Sequence, residues 1–187
     1  MILQDLSLHI LDIAENSTDA RATRIEITIE ENIRKNRLLV RIRDNGRGMT
    51  KSAQLRALDP FYTTKKVRRV GLGLPMLAQA VREADGSLTI RSRPGTGTAI
   101  TARFAYNHID RKPIGNMAET IMNLVAGHGL NIDLLYKHRK HGLTYIFDTR
   151  IIKQGLRDVP ITNPEVLTFL RKNIIKGLKA LEKRRKK

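Results

Sequence analysis

A chain of 187 residues with 41% hydrophobic side chains is long enough for one full domain and a smaller appendage, and it can bury a core. The aromatic share is 4% with no Trp, so that core must come from Leu, Ile, Val and Ala; with no cysteine, disulfides and thiolate metal sites are excluded. Lys and Arg number 35 against 18 Asp and Glu, a formal charge of +17 that suggests an anionic partner such as nucleotide, nucleic acid or an acidic protein surface. The start Met1-Ile2-Leu3-Gln4-Asp5 brings an acid at once, and no apolar run approaches the roughly 18 residues that a membrane span needs, so a cytoplasmic location is expected.

In chain order, residues 3–20 read as a helix with two stripes. Leu6, Ile10 and Ile13 face a core, and Asp5, His9, Asp12 and Asn16 form an adjacent polar stripe. Residues 24–30 alternate, with Ile25, Ile27 and Ile29 on one face, and 38–43 read as a second strand with Val40 and Ile42 inward, joined through a polar loop. A glycine-bearing turn follows Asp44, then a short helix near 52–58, then a loop around Pro60. Gly71 and Gly73 precede a helix at 75–84 with Pro75 in its first turn. Residues 87–92 and 98–104 read as a hairpin around Pro94-Gly95-Thr96-Gly97. Beyond Tyr106 the pattern predicts a helix at 117–126, a hairpin from 132–137 and 144–148, and a final helix with Asn163 as N-cap and Pro164 as first residue.

Four short pieces carry chemistry. In Asp12-Ile-Ala-Glu15-Asn16-Ser17-Thr-Asp19-Ala20, Asp12 and Asn16 stand four apart and project from one side of a helix. A neutral amide oxygen suits magnesium, a hard ion held by one or two protein oxygens together with phosphates and water. Asp44-Asn45-Gly46-Arg47-Gly48-Met49 follows a strand, where a carboxylate can accept the adenine amino hydrogen and glycines let backbone pass close to the base. Gly71-Leu72-Gly73-Leu74-Pro75 offers amides and a helix N-terminus to phosphates. Gly95-Thr96-Gly97-Thr98 lies between two strands. Three of them have a plainer alternative: a solvated helix face for the first, ordinary turns for the second and fourth.

Taken in order and spacing, the four pieces resemble the N, G1, G2 and G3 boxes of the GHKL superfamily, which includes gyrase, ninety-kilodalton heat-shock chaperones, histidine kinases and mismatch-repair ATPases. Asp59-Pro-Phe61-Tyr62-Thr63-Thr64-Lys65 followed by Gly71-Leu-Gly73-Leu is similar to the F box and short lid of sensor histidine kinases. Glu15-Asn16-Ser17-Thr-Asp19-Ala20 through Ile25 is similar to mismatch-repair and gyrase proteins. The resemblance covers residues 1 to about 105. It implies an α/β sandwich, with helices on one face of a mixed, mainly antiparallel sheet, that binds ATP and Mg2+. It carries Asn16 to the metal, Asp44 to adenine, and Gly46, Gly48, Met49, Gly71, Leu72, Gly73 and Leu74 to the loops around the nucleotide; Lys65 is carried to a phosphate and Thr98 to the adenine side.

One departure bears on catalysis. Where gyrase-like members have a water-activating glutamate four residues before the magnesium asparagine, this sequence has Asp12, one methylene shorter, which predicts slow hydrolysis. Histidine kinases use instead a histidine on a separate helical domain, and no such domain is expected ahead of residue 1. His9 is expected to be a hydrogen-bonded structural side chain rather than a phosphoryl acceptor. The sequence therefore predicts an ATP-binding domain at 1–106 and, across a boundary between Asn107 and Pro113, a helix-hairpin-helix extension at 107–187 with a basic tail. Within the extension, His138 to His141 read as a basic turn, solvated or gripping an anion. The expected activity is slow ATP hydrolysis or phosphoryl transfer to a protein partner. The alternatives are a non-catalytic ATP sensor and a nucleic-acid-associated ATPase, the latter less favoured.

Overall fold

The structure, a computed structural model, describes residues 5–59 and 73–183. In chain order the elements are α1 (Leu6–Asp19), β1 (Arg24–Asn32), β2 (Arg37–Asp44), α2 (Lys51–Arg56), α3 (Gly73–Glu83), β3 (Ser87–Arg93), β4 (Gly97–Ala105), α4 (Met117–His128), β5 (Asp133–Lys140), β6 (Leu143–Asp148), α5 (Thr149–Leu156) and α6 (Pro164–Glu182). The six strands form one sheet in the order β3-β4-β2-β1-β5-β6, antiparallel at every junction except the parallel pair β1 and β5. Among the described residues helices cover one face only, so the fold is the two-layer α+β arrangement expected.

Period-two alternation sets the sheet. Ile25, Ile27 and Ile29 of β1 and Leu38, Val40 and Ile42 of β2 all point to the helix layer and are buried, while the residues between them face away. Against them α1 packs Leu6, Ile10 and Ile13, and α3 packs Leu77 and Val81. The predicted boundary between Asn107 and Pro113 falls on a connection within this sheet. Beyond it, Ile121, Leu124 and Val125 of α4 and Leu170 and Ile174 of α6 join the same core, and β5 lies beside β1. The caps explain where the helices start: Asp5 accepts from the Leu8 amide, Asn116 from Glu119, and Asn163 from Glu165 ahead of Pro164. Gly115, at φ 83°, packs against the Asp5 carboxylate that caps α1.

The basic turn expected at His138 to His141 is corrected. The strand β5 runs on through Lys140, and the turn is His141-Gly142, both at positive φ (50° and 76°), as a two-residue hairpin requires. Alternation then sends His138 and Lys140 into the helix layer, where they are buried with Glu31 at the end of β1. His138 Nε2 lies 2.8 Å from Glu31 Oε1, and its Nδ1 lies 2.9 Å from the Tyr136 hydroxyl; Lys140 Nζ donates to both oxygens of Glu182 on α6, at 2.7 and 2.8 Å. This polar cluster ties the end of α6 to the sheet.

Burial pushes the Glu31 carboxyl upward, but the His138 hydrogen bond and the Lys140 charge outweigh it, and its pKa is lowered. A carboxyl depressed in the folded state contributes stability that is present above its unfolded value and is lost as pH falls through the folded value. Glu31→Gln is accordingly expected to cost about 1–2 kcal/mol at pH 7, with the gap to the parent narrowing below about pH 4. Urea unfolding at the two pH values checks this; a gap that stays constant with pH would show that the Glu31 charge contributes nothing.

Candidate functional site

The site is built around the C-terminal end of β2. Asp44 points into the helix layer and is only 9% exposed. Its Oδ1 accepts the amides of Gly46 (2.9 Å) and Thr98 (3.2 Å), and its Oδ2 accepts the Ser17 hydroxyl of α1 (3.0 Å). Three separate segments thus converge on one carboxylate: α1, the turn after β2 and the start of β4. Thr98 is also the cross-strand neighbour of Asp44 in the ladder.

The turn after Asp44 is held from both sides. Asn45 Oδ1 accepts the amides of Thr23 and Arg24, and its Nδ2 donates to the Thr23 hydroxyl, binding the turn to the start of β1. Arg47 N–H donates to the Ala20 carbonyl at the end of α1, and Gly95 N–H donates to the Arg47 carbonyl. Close approach explains the glycines. A Cβ on Gly46 would lie 2.8 Å from the Ala20 carbonyl oxygen, and one on Gly48, already at φ 66°, would lie 2.0 Å from the Arg93 carbonyl oxygen. Met49 donates its amide to Ser92 Oγ (2.8 Å), which itself bridges to the Gly97 carbonyl and the Thr98 hydroxyl, and Gln54 of α2 donates to the carbonyls of Met49 and Ser92.

Asp12 and Asn16 sit one turn apart on α1, both half-buried. Asp12 abuts the first residue of α3: a Cβ on Gly73 would lie 2.6 Å from Asp12 Cβ and 2.7 Å from its Oδ2. Only glycine lets the α3 N-terminus come this near the Asp12 carboxylate. The next residue, Leu74, is buried in the core. The structure therefore brings Asp12, Asn16, Asp44, Gly46, Gly48, Met49, Gly73, Leu74 and Thr98 to the α1, β2 and β4 side of the helix layer. Lys65, Gly71 and Leu72, with the rest of the F box after Asp59, lie outside the described residues.

His9 is 1% exposed, and burial lowers its pKa despite the opposing charges of Asp12 and Asp5. It is a neutral interior side chain, unable to reach a phosphate in solvent. Its Nδ1 has no hydrogen-bond partner among the described residues. Three contributors were not singled out from sequence: Ser17, Ser92 and Gln54. Ser17 was visible inside the first motif, one residue after Asn16, but nothing in a helix pattern says that a serine will meet a carboxylate 27 residues later. Among the described residues no cluster of three or more His, Cys, Asp or Glu side chains could hold a metal ion by itself. A site with one amide oxygen, completed by nucleotide phosphates and water, fits magnesium chemistry better than an all-protein cage.

The model of the histidine kinase-, DNA gyrase B-, and HSP90-like ATPases matches residues 2–108. The chain belongs to this ATPase family. Its matched portion is the family's ATP-binding domain. Both sides of the sequence resemblance reappear among its relatives. It is 44% identical over 99 residues to the DNA mismatch repair protein MutL of Thermotoga maritima, spanning 49% of this chain and 19% of that protein. It is 31% identical over 88 residues to Sporulation kinase C of Bacillus subtilis, spanning 47% of this chain and 20% of that one. Against the signal transduction histidine-protein kinase AtoS of Escherichia coli, identity is 32% over 99 residues, 52% of this chain and 16% of that one.

The chain spans less than a quarter of the length of the curated relatives it matches. Among solved structures, the N-terminal domain of a DNA repair protein superposes with a TM-score of 0.53 at 14% identity, covering 78% of this chain and 52% of that one. At that identity the likeness is one of fold. It nevertheless covers more of the chain than the 2–108 family match, so it extends past residue 108.

Proposed function

We propose that the chain binds ATP with magnesium in the corner between α1, the turn after β2 and the N-terminal end of α3, and that it hydrolyses ATP slowly or passes the terminal phosphoryl group to a protein. The observation that carries this is the state of Asp44. A carboxylate offers about four acceptor positions, and three are filled by Gly46, Thr98 and Ser17. One remains on Oδ2, enough for a single amino hydrogen of adenine. Gly46, Gly48 and Met49 supply backbone close to the base, and Thr98 closes its far side.

At the other end, the close packing of Gly73 on Asp12 aims the positive end of the α3 dipole, and with it Leu74, toward the phosphates. Gly71, Leu72 and Lys65 complete that cradle by family resemblance. Asn16 offers its amide oxygen to the metal, which when bound neutralises charge on the phosphate oxygens. Asp12 holds the base position, from which it would accept a proton from attacking water. Its shorter reach makes turnover slow. Among the described residues no helix is long and apolar enough to cross a membrane, and a cytoplasmic location is part of this proposal.

Asp12→Asn tests the assignment. With gamma-labelled ATP and magnesium, following free phosphate and protein-bound label separately, the variant is expected to keep nucleotide affinity within a few-fold and to lose at least about 100-fold in phosphate release, as removal of a positioned base does. Turnover equal to the parent would remove Asp12 from the base role. Retained affinity without turnover in either protein would favour a non-catalytic ATP sensor.

A further inference from the structure

The face of the sheet turned away from the helices bears a field of arginines that the nucleotide site does not use. The outward positions include Arg37, Arg41 and Arg43 on β2, with the buried Leu39 among them, Arg91 and Arg93 on β3 and, on β4 between them, Arg103. The cross-strand register sets Arg43 and Arg91 on either side of Ala99, and Arg41 beside Thr101. Small side chains on β4 thus floor a furrow between two arginine ridges. No Asp or Glu occupies an outward position on these three strands. Five of the six arginines are exposed, with Arg103 half-buried, and among the described residues none of the six joins an ion pair.

The other half of the same face is different. There a trough of about 300 Å³ runs along β1 between Arg41 and Arg43 on one side and Lys137 and Arg139 on the other, but Glu26 and Glu30 line it. Those acids are engaged, Glu26 with Arg24 at 2.7 Å and Glu30 with Arg139 at 3.9 Å. The acid-free positive field is therefore confined to β3, β4 and β2.

We propose that this arginine face binds the phosphate backbone of double-stranded nucleic acid, without regard to base sequence. Six like charges held beside one another repel, and a polyanion relieves that repulsion while releasing its own counterions. The guanidinium fork matches phosphate oxygens better than an ammonium does. The ridges on β2 and β3 are two strand spacings apart, about 9.5 Å, on the scale of the roughly 6 Å and 12 Å grooves that separate the two phosphate rows of a duplex.

Composition separates this partner from others. Among the described residues the face carries no aromatic side chain, so it lacks the stacking platform of single-strand binders. No exposed large apolar side chain lies on these three strands, so there is nothing to insert into a lipid surface and no apolar centre for a protein interface.

The test is fluorescence anisotropy of the full chain with a labelled duplex of roughly 20 base pairs, titrated at several salt concentrations without nucleotide. The parent protein is expected to bind at low salt with a steep log-log salt slope, near −0.9 per phosphate neutralised. The variant R41Q/R43Q/R91Q is expected to bind at least tenfold more weakly and to lose roughly two to three units of slope. The control K172Q/K176Q/K179Q removes the same charge from exposed positions on α6 and is expected to leave the slope within about one unit.

Absence of duplex binding by the parent at low salt would overturn the proposal. So would equal losses in the two triple variants, or retention of duplex binding by the sheet variant alongside loss of binding to phosphatidylserine vesicles. Because the measurement omits ATP, its failure leaves the nucleotide site as it stands.

Discussion

Replacing Asp44 with alanine is expected to reduce ATP affinity by at least about 100-fold, equivalent to some 2.7 kcal/mol, and to destabilise the fold by roughly 2–4 kcal/mol. The two losses have separate sources. Stability falls because the Ser17 hydroxyl and the amides of Gly46 and Thr98 lose a shared acceptor at a site only 9% exposed. Affinity falls because the last acceptor position, the one assigned to the adenine amino group, goes with it.

Asp44→Asn separates these effects. An amide keeps one carbonyl oxygen, which can go on accepting from Gly46 and Thr98, and turns its NH2 toward the side where Ser17 and the base would lie. That variant is expected to fold with little loss yet to reject an adenine amino group, and to favour a purine with a carbonyl at the same position. Competition between ATP and inosine triphosphate, read by calorimetry on both proteins, checks the exchange. Parent-like ATP affinity in the Asn variant would remove Asp44 from base recognition.

Part of this arrangement was legible in the chain and part was not, for physical reasons. The alternation through Ile25, Ile27 and Ile29, and the Asn163-Pro164 start of α6, are local signals, and they appear where the periods and caps require. The order of the four motifs was legible because each contributes a type of group that nucleotide chemistry needs. The parallel pairing of β1 with β5 was not. It joins residues more than 100 positions apart, Ile25 beside Leu134, and nothing in either strand's pattern names its partner. The short helix α5 also escaped notice: of its eight residues only Thr149 is fully buried, and the stripe it turns to the core is just Ile152 and Leu156, too short to read as a period. His138 and Lys140 read as part of a basic turn, solvated or gripping an anion, because a run of charged side chains usually marks a loop; the partners that make them interior, Glu31 and Glu182, come from β1 and from the far end of α6.

The glycines of the hairpin between β3 and β4 show the same limit in its sharpest form, and they yield the last prediction. Gly95 and Gly97 look alike in sequence, and both have positive φ, 77° and 95°. Around Gly95 an added Cβ would meet nothing within 4 Å; at Gly97 it would lie 2.0 Å from the Asp44 carbonyl oxygen and 2.8 Å from Asn45 Cα. Neither side can retreat. Asp44 and Thr98 are paired in the ladder, and Asn45 is fixed by its hydrogen bonds to Thr23 and Arg24. Gly95→Ala is therefore expected to cost only its backbone strain, about 1 kcal/mol. Gly97→Ala adds a clash with main chain and is expected to cost upward of about 3 kcal/mol. It should also weaken nucleotide binding in whatever fraction remains folded, since relief of the clash must push Asp44 away from the Thr98 amide. Urea midpoints for the two variants, with ATP titrations in water, measure both effects. Equal midpoints would mean that the corner between β2 and β4 opens to admit a methyl group, and that its tightness does not hold the Asp44 carboxylate in place.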